Sequence, residues 1–178
     1  MAKDKPLTSD SLLGSPRNAA SRAPTTRAIR MLKENKAVST LHTYRYEEHG
    51  GTEVAAGALG VDEHQVIKTL VFEDENRAPF LLLMHGDRQA SVKNLARALG
   101  VKTVRACEPR VANRHTGYTV GGISPFGTIK PLRTFVERSI QKLPRLFINA
   151  GKRGLLAEIT PAELTRILNP IPVDVAIQ

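Results

Sequence analysis

Two apolar, β-rich runs lie close together near the middle of the chain, at Val66–Glu73 and Pro79–His85. A short polar stretch, Asp74–Arg77, separates them and has the composition of a turn. Two such runs joined by so short a connection predict a β-hairpin, because the second run folds back beside the first. The hairpin is the strongest constraint on the fold, and the other elements have to be arranged around it.

Helix and strand signals alternate on both sides of the hairpin. Residues suited to begin a helix occur at Thr26, Thr52, Ser91, Pro109 and Thr160. Short strands are predicted at Leu41–Tyr46, Val101–Ala106 and Leu146–Asn149. This alternation predicts a single α/β (α+β) domain with a mixed, largely antiparallel sheet flanked by helices.

The segment before the first helix signal differs in composition from the rest. Residues 1–26 are rich in Ser, Thr, Pro and Ala and show no apolar periodicity. Such a segment cannot bury enough surface to offset the entropy of ordering, so we expect a flexible tail over 1–26 and a folded domain over 27–178. The tail has four basic and two acidic residues, so seven of the nine net positive charges fall on 27–178. A folded basic surface indicates a polyanionic partner without identifying it.

Length and cysteine content exclude several classes of protein. The 178 residues can form one domain with a tail. No apolar run reaches the roughly 18 residues that a membrane-spanning helix needs. The single cysteine, Cys107, excludes an internal disulfide, and we expect an inert thiol in a cytoplasmic protein. The five histidines lack a metal-binding spacing such as HExxH, so we predict neither a metal site nor a cofactor.

A glycine-rich segment, Thr116–Gly127, contains four glycines and one proline within twelve residues. Glycines leave backbone N–H groups open to a ligand, and successive N–H groups can bind a phosphate or polarise a carbonyl. A tight turn between strands is the competing interpretation, and it is the commoner one for an isolated Gly-Gly pair. The density of glycines in this segment makes a binding loop a stronger candidate than such a pair would.

Two further features suggest an anion site. The segment Gly151–Gly154 places two cations between two glycines directly after a predicted strand, although its spacing departs from that of a P-loop. Lys68 lies inside the first apolar run of the hairpin, where it either faces solvent or lines a cleft and binds a phosphate or a polarised oxygen. The residues alone leave a solvated turn and a solvent-facing lysine open as alternatives.

Several motifs occur in an order that resembles one protein family. In chain order they are His42-Thr43-Tyr44, Ala58-Leu59-Gly60, Val66-Ile67-Lys68-Thr69-Leu70, Leu95-Ala96-Arg97-Ala98-Leu99-Gly100, Thr116-Gly117-Tyr118-Thr119-Val120-Gly121-Gly122-Ile123-Ser124-Pro125 and Gly151-Lys152-Arg153-Gly154-Leu155. The set resembles the YbaK/EbsC family of free-standing aminoacyl-tRNA deacylases, relatives of the editing domain of bacterial prolyl-tRNA synthetases. The resemblance extends over nearly all of residues 27–178.

The resemblance implies a YbaK-like fold and a metal-free hydrolase that cleaves the ester between a mischarged amino acid and the 3′ adenosine of a tRNA. Lys68 falls on the family's essential lysine, and Gly121 and Gly122 fall on the loop whose backbone contacts the aminoacyl group, so these three residues are predicted to be catalytic. The residues predicted to bind the substrate are Tyr44, Thr69, Ser124, Pro125, Gly151, Lys152 and Arg153.

The glycine-rich segment Thr116–Gly127 implies a particular substrate. Gly-Gly-Ile-Ser-Pro is most similar to the branch that hydrolyses Cys-tRNA(Pro), in which the substrate's own thiol is proposed to attack the ester. The partners that the resemblance implies are the acceptor end of a mischarged tRNA and prolyl-tRNA synthetase, with no membrane involved.

Two alternatives remain beside this interpretation. Many relatives have an acidic residue where this chain has Leu156, so a deacylase for alanine or serine is one alternative. A non-catalytic tRNA-binding module is the other, since the positive charge would support binding without catalysis. Lys68 occurs together with both glycine-rich segments, which binding alone would not require.

Overall fold

A computed structural model describes residues 25–178 of the protein. The predicted tail, residues 1–26, lies outside the described residues except for Thr25 and Thr26. The described part contains five α-helices: α1 (Arg27–Glu34), α2 (Gly51–Leu59), α3 (Val92–Leu99), α4 (Pro109–Thr116) and α5 (Pro161–Leu168). None of these five helices has the length and apolar character needed to span a membrane.

Ten strands form the sheets of the described part. They are β1 (Thr40–Thr43), β2 (Val66–Asp74), β3 (Pro79–His85), β4 (Gln89–Ala90), β5 (Val104–Ala106), β6 (Arg133–Glu137), β7 (Leu146–Lys152), β8 (Leu155–Ile159), β9 (Ile171–Val173) and β10 (Ala176–Ile177). The main sheet has the order β1-β8-β7-β2-β3-β6-β9, with β5 paired to the far end of β2, and β4 pairs with β10 in a separate ribbon.

The predicted hairpin is confirmed, with β2 and β3 antiparallel from Ile67 opposite His85 to Glu73 opposite Pro79. The predicted mixed sheet is also confirmed. The contacts β2–β7, β3–β6 and β6–β9 are parallel. The remaining contacts of this sheet are antiparallel.

Helices cover both faces of the sheet. Helices α1, α4 and α5 pack on one face, where they share a core with Leu81 and Leu83 of β3. Helix α3 packs on the other face against Leu82 and Met84 of the same strand, and α2 packs beside it. Because successive side chains of a strand point to opposite faces, a strand covered on both sides is apolar throughout rather than alternating.

Three of the predicted helix starts are confirmed by their capping bonds. The hydroxyls of Thr26, Ser91 and Thr160 each accept a hydrogen bond from a backbone N–H in the first turn of α1, α3 and α5. Each such cap contributes about 1 kcal/mol by pairing one of the free donors of the helix end. Pro109 is the first residue of α4, as predicted.

The prediction that Thr52 caps the second helix is wrong. Helix α2 begins at Gly51, where the backbone has a φ of +61°, so Thr52 already lies inside the first turn. Its hydroxyl donates instead to the carboxylate of Glu63, at 2.6 Å. The tertiary contact therefore replaces the local one that the sequence suggested.

Strand bounds differ from the predicted ones where the partner strands end. The predicted strand Leu41–Tyr46 stops at Thr43, and Val101–Ala106 is reduced to Val104–Ala106. The predicted strand Leu146–Asn149 extends to Lys152, because β7 continues beside β8 through a bulge.

A fully buried histidine links three parts of the fold. His85 Nδ1 donates to the backbone carbonyl of His64 at 2.6 Å, and its Nε2 lies within hydrogen-bond distance of the Ser139 hydroxyl, at 2.8 Å. Burial is the main cause that lowers the pKa of His85, because an imidazolium there would lose its hydration. The neutral ring satisfies both partners.

We expect this histidine to make stability depend on pH near neutrality. Its pKa in the folded state lies below the unfolded value of 6.5, so its contribution is complete above pH 6.5 and falls as the pH drops below 6.5, where only the unfolded chain takes up the proton. Urea unfolding followed by circular dichroism at pH 7.5 and 5.5 measures this loss. His85→Gln should lose less stability between the two pH values than the wild type; an equal loss would contradict the assignment.

Candidate active site

The main sheet opens where β2 and β7 separate. The two strands pair only at Val66–Phe147 and Ile67–Ile148, after which β7 bulges between Asn149 and Lys152. Strand β5 joins the same edge of β2 only from Phe72 onward. Among the described residues, no strand therefore pairs with this edge of β2 over residues 68–70, and a gap remains in the sheet.

A cavity of about 840 Å³ occupies this gap. Its walls are the start of α2, the start of α4 and the loop Thr119–Ile123, and its floor is the unpaired part of β2. The volume lies in the range of small-ligand sites. The predicted site residues that line this cavity are Tyr44, Lys68, Thr69, Gly121 and Arg153.

A smaller cavity of about 400 Å³ lies beside the first. The other predicted residues of the two glycine-rich segments, Gly122, Gly151 and Lys152, line it together with Arg153. Ser124 and Pro125 line neither cavity. Both are buried within the loop, and the Ser124 hydroxyl accepts from the backbone N–H of Phe126. These two residues therefore shape the loop.

Lys68 is half-buried at the cavity wall. The sequence had left two positions open, this one and a solvent-facing one. Its ammonium donates one hydrogen bond to the backbone carbonyl of Arg88, so two of its three N–H donors remain for a ligand. Burial lowers the pKa of Lys68, while the carboxylates of Glu63 and Asp87 act in the opposite direction. The lysine is thus a partly desolvated cation with a fixed direction.

The turn whose Arg88 carbonyl accepts from Lys68 adjoins a group of side chains close enough to share a metal ion. Within residues 25–178, His64, His85 and Asp87 bring their ligand atoms within 4.8 Å of one another. However, both nitrogens of His85 are occupied by hydrogen bonds, its ring stacks on that of His64 at 3.6 Å, and His64 Nδ1 donates to Asp87 at 2.8 Å. We therefore interpret the group as a hydrogen-bonded support for the turn behind Lys68.

Thr69 has a hydroxyl that the fold leaves unsatisfied. Its Oγ1 is buried and has no hydrogen-bond partner among the described residues. A buried polar atom without a partner costs about 1–3 kcal/mol. Thr69 lines the cavity, but this oxygen is itself enclosed by protein, so the role of Thr69 in substrate binding stays a prediction.

Sequence reasoning assigned no role to Asn149, which joins the two glycine-rich segments. Its Nδ2 donates to the carbonyls of Gly121 at 3.1 Å and Lys152 at 3.2 Å. Its Oδ1 accepts from the N–H groups of Gly151 at 2.7 Å and Lys152 at 3.2 Å. An asparagine near a strand end, two residues before a glycine, is the signal that could have identified it.

The two predicted catalytic glycines have different roles in this geometry. Gly121 is exposed at the cavity, has a φ of +88°, and its N–H has no partner among the described residues. Gly122 is buried, and its N–H donates to the carbonyl of Thr119 at 2.8 Å. Of these two glycines, Gly121 is therefore the one with a free backbone donor for a ligand.

Gly122 is needed for close packing of the two segments. A Cβ at this position would lie 2.9 Å from the Arg153 backbone nitrogen and 3.1 Å from the Lys152 carbonyl carbon, both of which are backbone atoms that cannot rotate away. The segments meet backbone to backbone, which only glycine permits.

The charge and polarity of the main cavity fit an anionic ligand. Three cations, Lys68, Arg110 and Arg153, line it against one carboxylate, Glu48. Tyr44 contributes a half-buried ring, and burial raises the pKa of its phenol, so it stays a neutral hydrogen-bonding group. The arrangement can bind a phosphate and polarise a carbonyl in the same space.

We expect Gly122→Ala to separate the two segments and to destabilise the protein by roughly 1–3 kcal/mol, because overpacking against backbone forces the chain to shift. Gly57→Ala is the matched control. Its Cβ in helix α2 would meet nothing within 4 Å, so we expect a gain of about 0.5–1 kcal/mol. Urea unfolding of both variants measures the difference, and equal stability of the two would refute the packing argument.

Comparisons with known proteins agree with this geometry. A family model described as the aminoacyl-tRNA editing domain matches residues 47–167. A protein of Enterococcus faecalis named as a candidate Cys-tRNA(Pro)/Cys-tRNA(Cys) deacylase, EbsC, is 30% identical over 145 residues, which are 81% of this chain and 88% of that protein. A proline–tRNA ligase of Streptococcus equi subsp. zooepidemicus is 33% identical over 102 residues, which are 57% of this chain and 16% of the ligase.

The fold has a solved counterpart as well. The crystal structure of a candidate trans-editing enzyme for prolyl-tRNA synthetase superposes with a TM-score of 0.73 at 22% identity. The match covers 88% of this chain and 100% of that one. The matched family model spans more than half of the chain and includes Lys68 and both glycine-rich segments. This chain therefore belongs to the aminoacyl-tRNA editing domain family, which confirms the predicted family and its aminoacyl-tRNA deacylase class of activity.

Proposed function

We propose that the protein hydrolyses Cys-tRNA(Pro) in trans, with the acceptor end of the tRNA bound at the main cavity. The observation that carries this proposal is that Lys68 and Gly121 line one cavity inside a gap of the sheet, and that the Gly121 N–H has no partner among the described residues. A cation with two free donors suits the phosphate of the terminal nucleotide. A backbone donor suits the ester carbonyl, whose oxygen becomes negatively charged during attack.

The cavity offers a defined place for the aminoacyl group. Thr69 and Tyr44 both line it, and the phenol of Tyr44 keeps its proton. Together with Gly121 these groups can orient the ester rather than react with it. Orientation of this kind accounts for a large part of a rate enhancement when the attacking group belongs to the same molecule.

The lining of the main cavity supports an attacking group supplied by the substrate. Neither a serine nor a cysteine occurs among the described residues that line the cavity. Cys107 lies elsewhere, beside the carboxylate of Glu73, and burial raises the pKa of its thiol to about 11, so the reactive thiolate is scarce at neutral pH.

The chemistry then follows from the substrate's own thiol. The cysteinyl sulfur attacks the ester carbonyl carbon, the bond from that carbon to the ribose oxygen breaks, and the thiol proton passes to the departing oxygen. The products are the free 3′ end of the tRNA and a cyclic thioester, which water opens to cysteine. Gly121 stabilises the intermediate oxyanion, and Lys68 holds the nucleotide in place.

A second amino acid is the alternative that a specific observation favours. Leu156 is buried and lines the cavity where many relatives have an acidic residue, so this wall is apolar. An apolar wall accepts alanine as readily as a thiol side chain. Initial rates on Cys-, Ala- and Ser-tRNA(Pro) decide between them, and a clear preference for cysteine would remove the alternative.

The cellular setting of this proposal is the cytoplasm, beside prolyl-tRNA synthetase. The similarity to part of a proline–tRNA ligase supports an association with the same tRNA. If the protein bound tRNA but hydrolysed none of the aminoacyl-tRNAs above, a non-catalytic tRNA-binding module would replace the deacylase.

We expect Lys68→Ala to lower the rate of Cys-tRNA(Pro) hydrolysis by roughly tenfold to a hundredfold, since a charge-assisted hydrogen bond contributes about 1.5–3 kcal/mol. Lys93→Ala is the matched control, because it removes the same charge from an exposed position of α3. The measurement is ester loss from labelled Cys-tRNA(Pro), with circular dichroism to verify folding. If Lys68→Ala and Lys93→Ala had equal rates, the role of Lys68 would be wrong.

We expect Cys107→Ser to hydrolyse Cys-tRNA(Pro) at a rate within about twofold of the wild type. The thiol does not line the cavity and is protonated at neutral pH, so the protein loses no nucleophile. The same ester-loss assay measures this. A loss of tenfold or more in a folded variant would indicate covalent catalysis by the protein and would contradict attack by the substrate.

A further inference from the structure

The two cavities share a boundary made by Thr119 and Arg153, the residues that line both of them. A tRNA end whose ester lies in the main cavity has its terminal base only one ribose away from the ester. The base therefore lies within reach of the shared boundary, beyond which lies the smaller cavity with Lys152.

Arg153 presents a fixed plane at this boundary. Its guanidinium carbon lies 5.0 Å from the centroid of the Tyr46 ring, and its Nε donates to the carbonyl of Val120 at 2.9 Å. The guanidinium thus lies over the ring, and the hydrogen bond restricts its rotation. The residue as a whole is exposed, so the other face is open to a ligand.

Arg153 is not neutralised by a carboxylate, whereas several other arginines of the described part are. Arg105, Arg138, Arg145 and Arg166 each form an ion pair with a carboxylate. Among the described residues, no carboxylate lies within salt-bridge distance of Arg153. Its guanidinium is held in place without being neutralised, which keeps both its charge and its plane available.

We propose that Tyr46 and Arg153 form a stacking platform for the 3′-terminal base of the tRNA. Bases of single-stranded nucleic acid ends stack on aromatic rings and on guanidinium planes, and such stacking tolerates any base because every base has a π-face. The order would be Tyr46 ring, Arg153 guanidinium, terminal base. The platform rests on the proposed function, since it specifies how the same site holds the nucleoside beside the ester.

The test uses RNA that carries no amino acid, so that it does not depend on hydrolysis. An acceptor-stem microhelix ending in CCA is compared with the same microhelix whose terminal ribose lacks a base, by fluorescence anisotropy at one salt concentration. We expect the wild type to bind the complete end about tenfold or more tightly than the abasic end, because stacking on a side chain contributes roughly that factor. Guanine in place of the terminal adenine should retain most of the affinity.

Variants assign the base dependence to the platform. Arg153→Lys keeps the charge and loses the plane, so it should bind both microhelices with nearly equal affinity while its salt dependence is retained. Tyr46→Phe should behave as the wild type and Tyr46→Ala should lose most of the base dependence. Arg145→Ala is the matched control, because Arg145 also lies over a ring, that of Phe147, at 5.4 Å, but lines neither cavity.

The outcomes separate this proposal from the proposed function. Equal affinity of the wild type for the complete and abasic ends would overturn the platform, even if Cys-tRNA(Pro) were hydrolysed. A base dependence that survived in both Arg153→Lys and Tyr46→Ala would overturn it too. Base-dependent binding that these two variants abolish would support the platform even if the protein hydrolysed none of the aminoacyl-tRNAs.

Discussion

The site depends on the four hydrogen bonds of one buried side chain, that of Asn149. They tie the carbonyl of Gly121 to the backbone of residues 151 and 152, at the point where β7 leaves β2. Two segments that are 28 residues apart in sequence thereby lie against each other. Because the amide has both donors and acceptors, it satisfies backbone groups of both segments, which would otherwise be unpaired where the sheet opens.

The opening of the sheet explains why the site has the chemistry that it has. If β7 had stayed paired with β2 beyond Ile67, Lys68 and Thr69 would have lain on a continuous, covered sheet. The gap instead gives the Lys68 ammonium a half-buried position beside water and leaves the Thr69 hydroxyl unpaired. The fold accepts the cost of unsatisfied polar groups at this place, which is typical of binding sites.

Local signals predicted the elements whose stabilising contacts are themselves local. The caps at Thr26, Ser91 and Thr160 and the hairpin of β2 and β3 involve residues close in sequence. The amino-acid sequence is therefore enough to predict these contacts. Thr52 has the chemistry of a cap but donates to Glu63, a residue eleven positions away. A single sequence cannot show which of two partners a hydroxyl chooses when the second partner arrives through folding.

The sequence by itself determined the α/β class, the hairpin, the basic charge and, through ordered motifs, the family. It also predicted Lys68 and Gly121 as site residues, and both line the main cavity. Only the tertiary structure decided that Gly122 packs while Gly121 faces the cavity, that Ser124 and Pro125 shape the loop, and that Asn149 and Tyr46 belong to the site. The physical reason is the range of the interactions. Composition, periodicity and capping act over a few residues, whereas the gap in the sheet and the contact of the two glycine-rich segments exist only when distant parts of the chain meet.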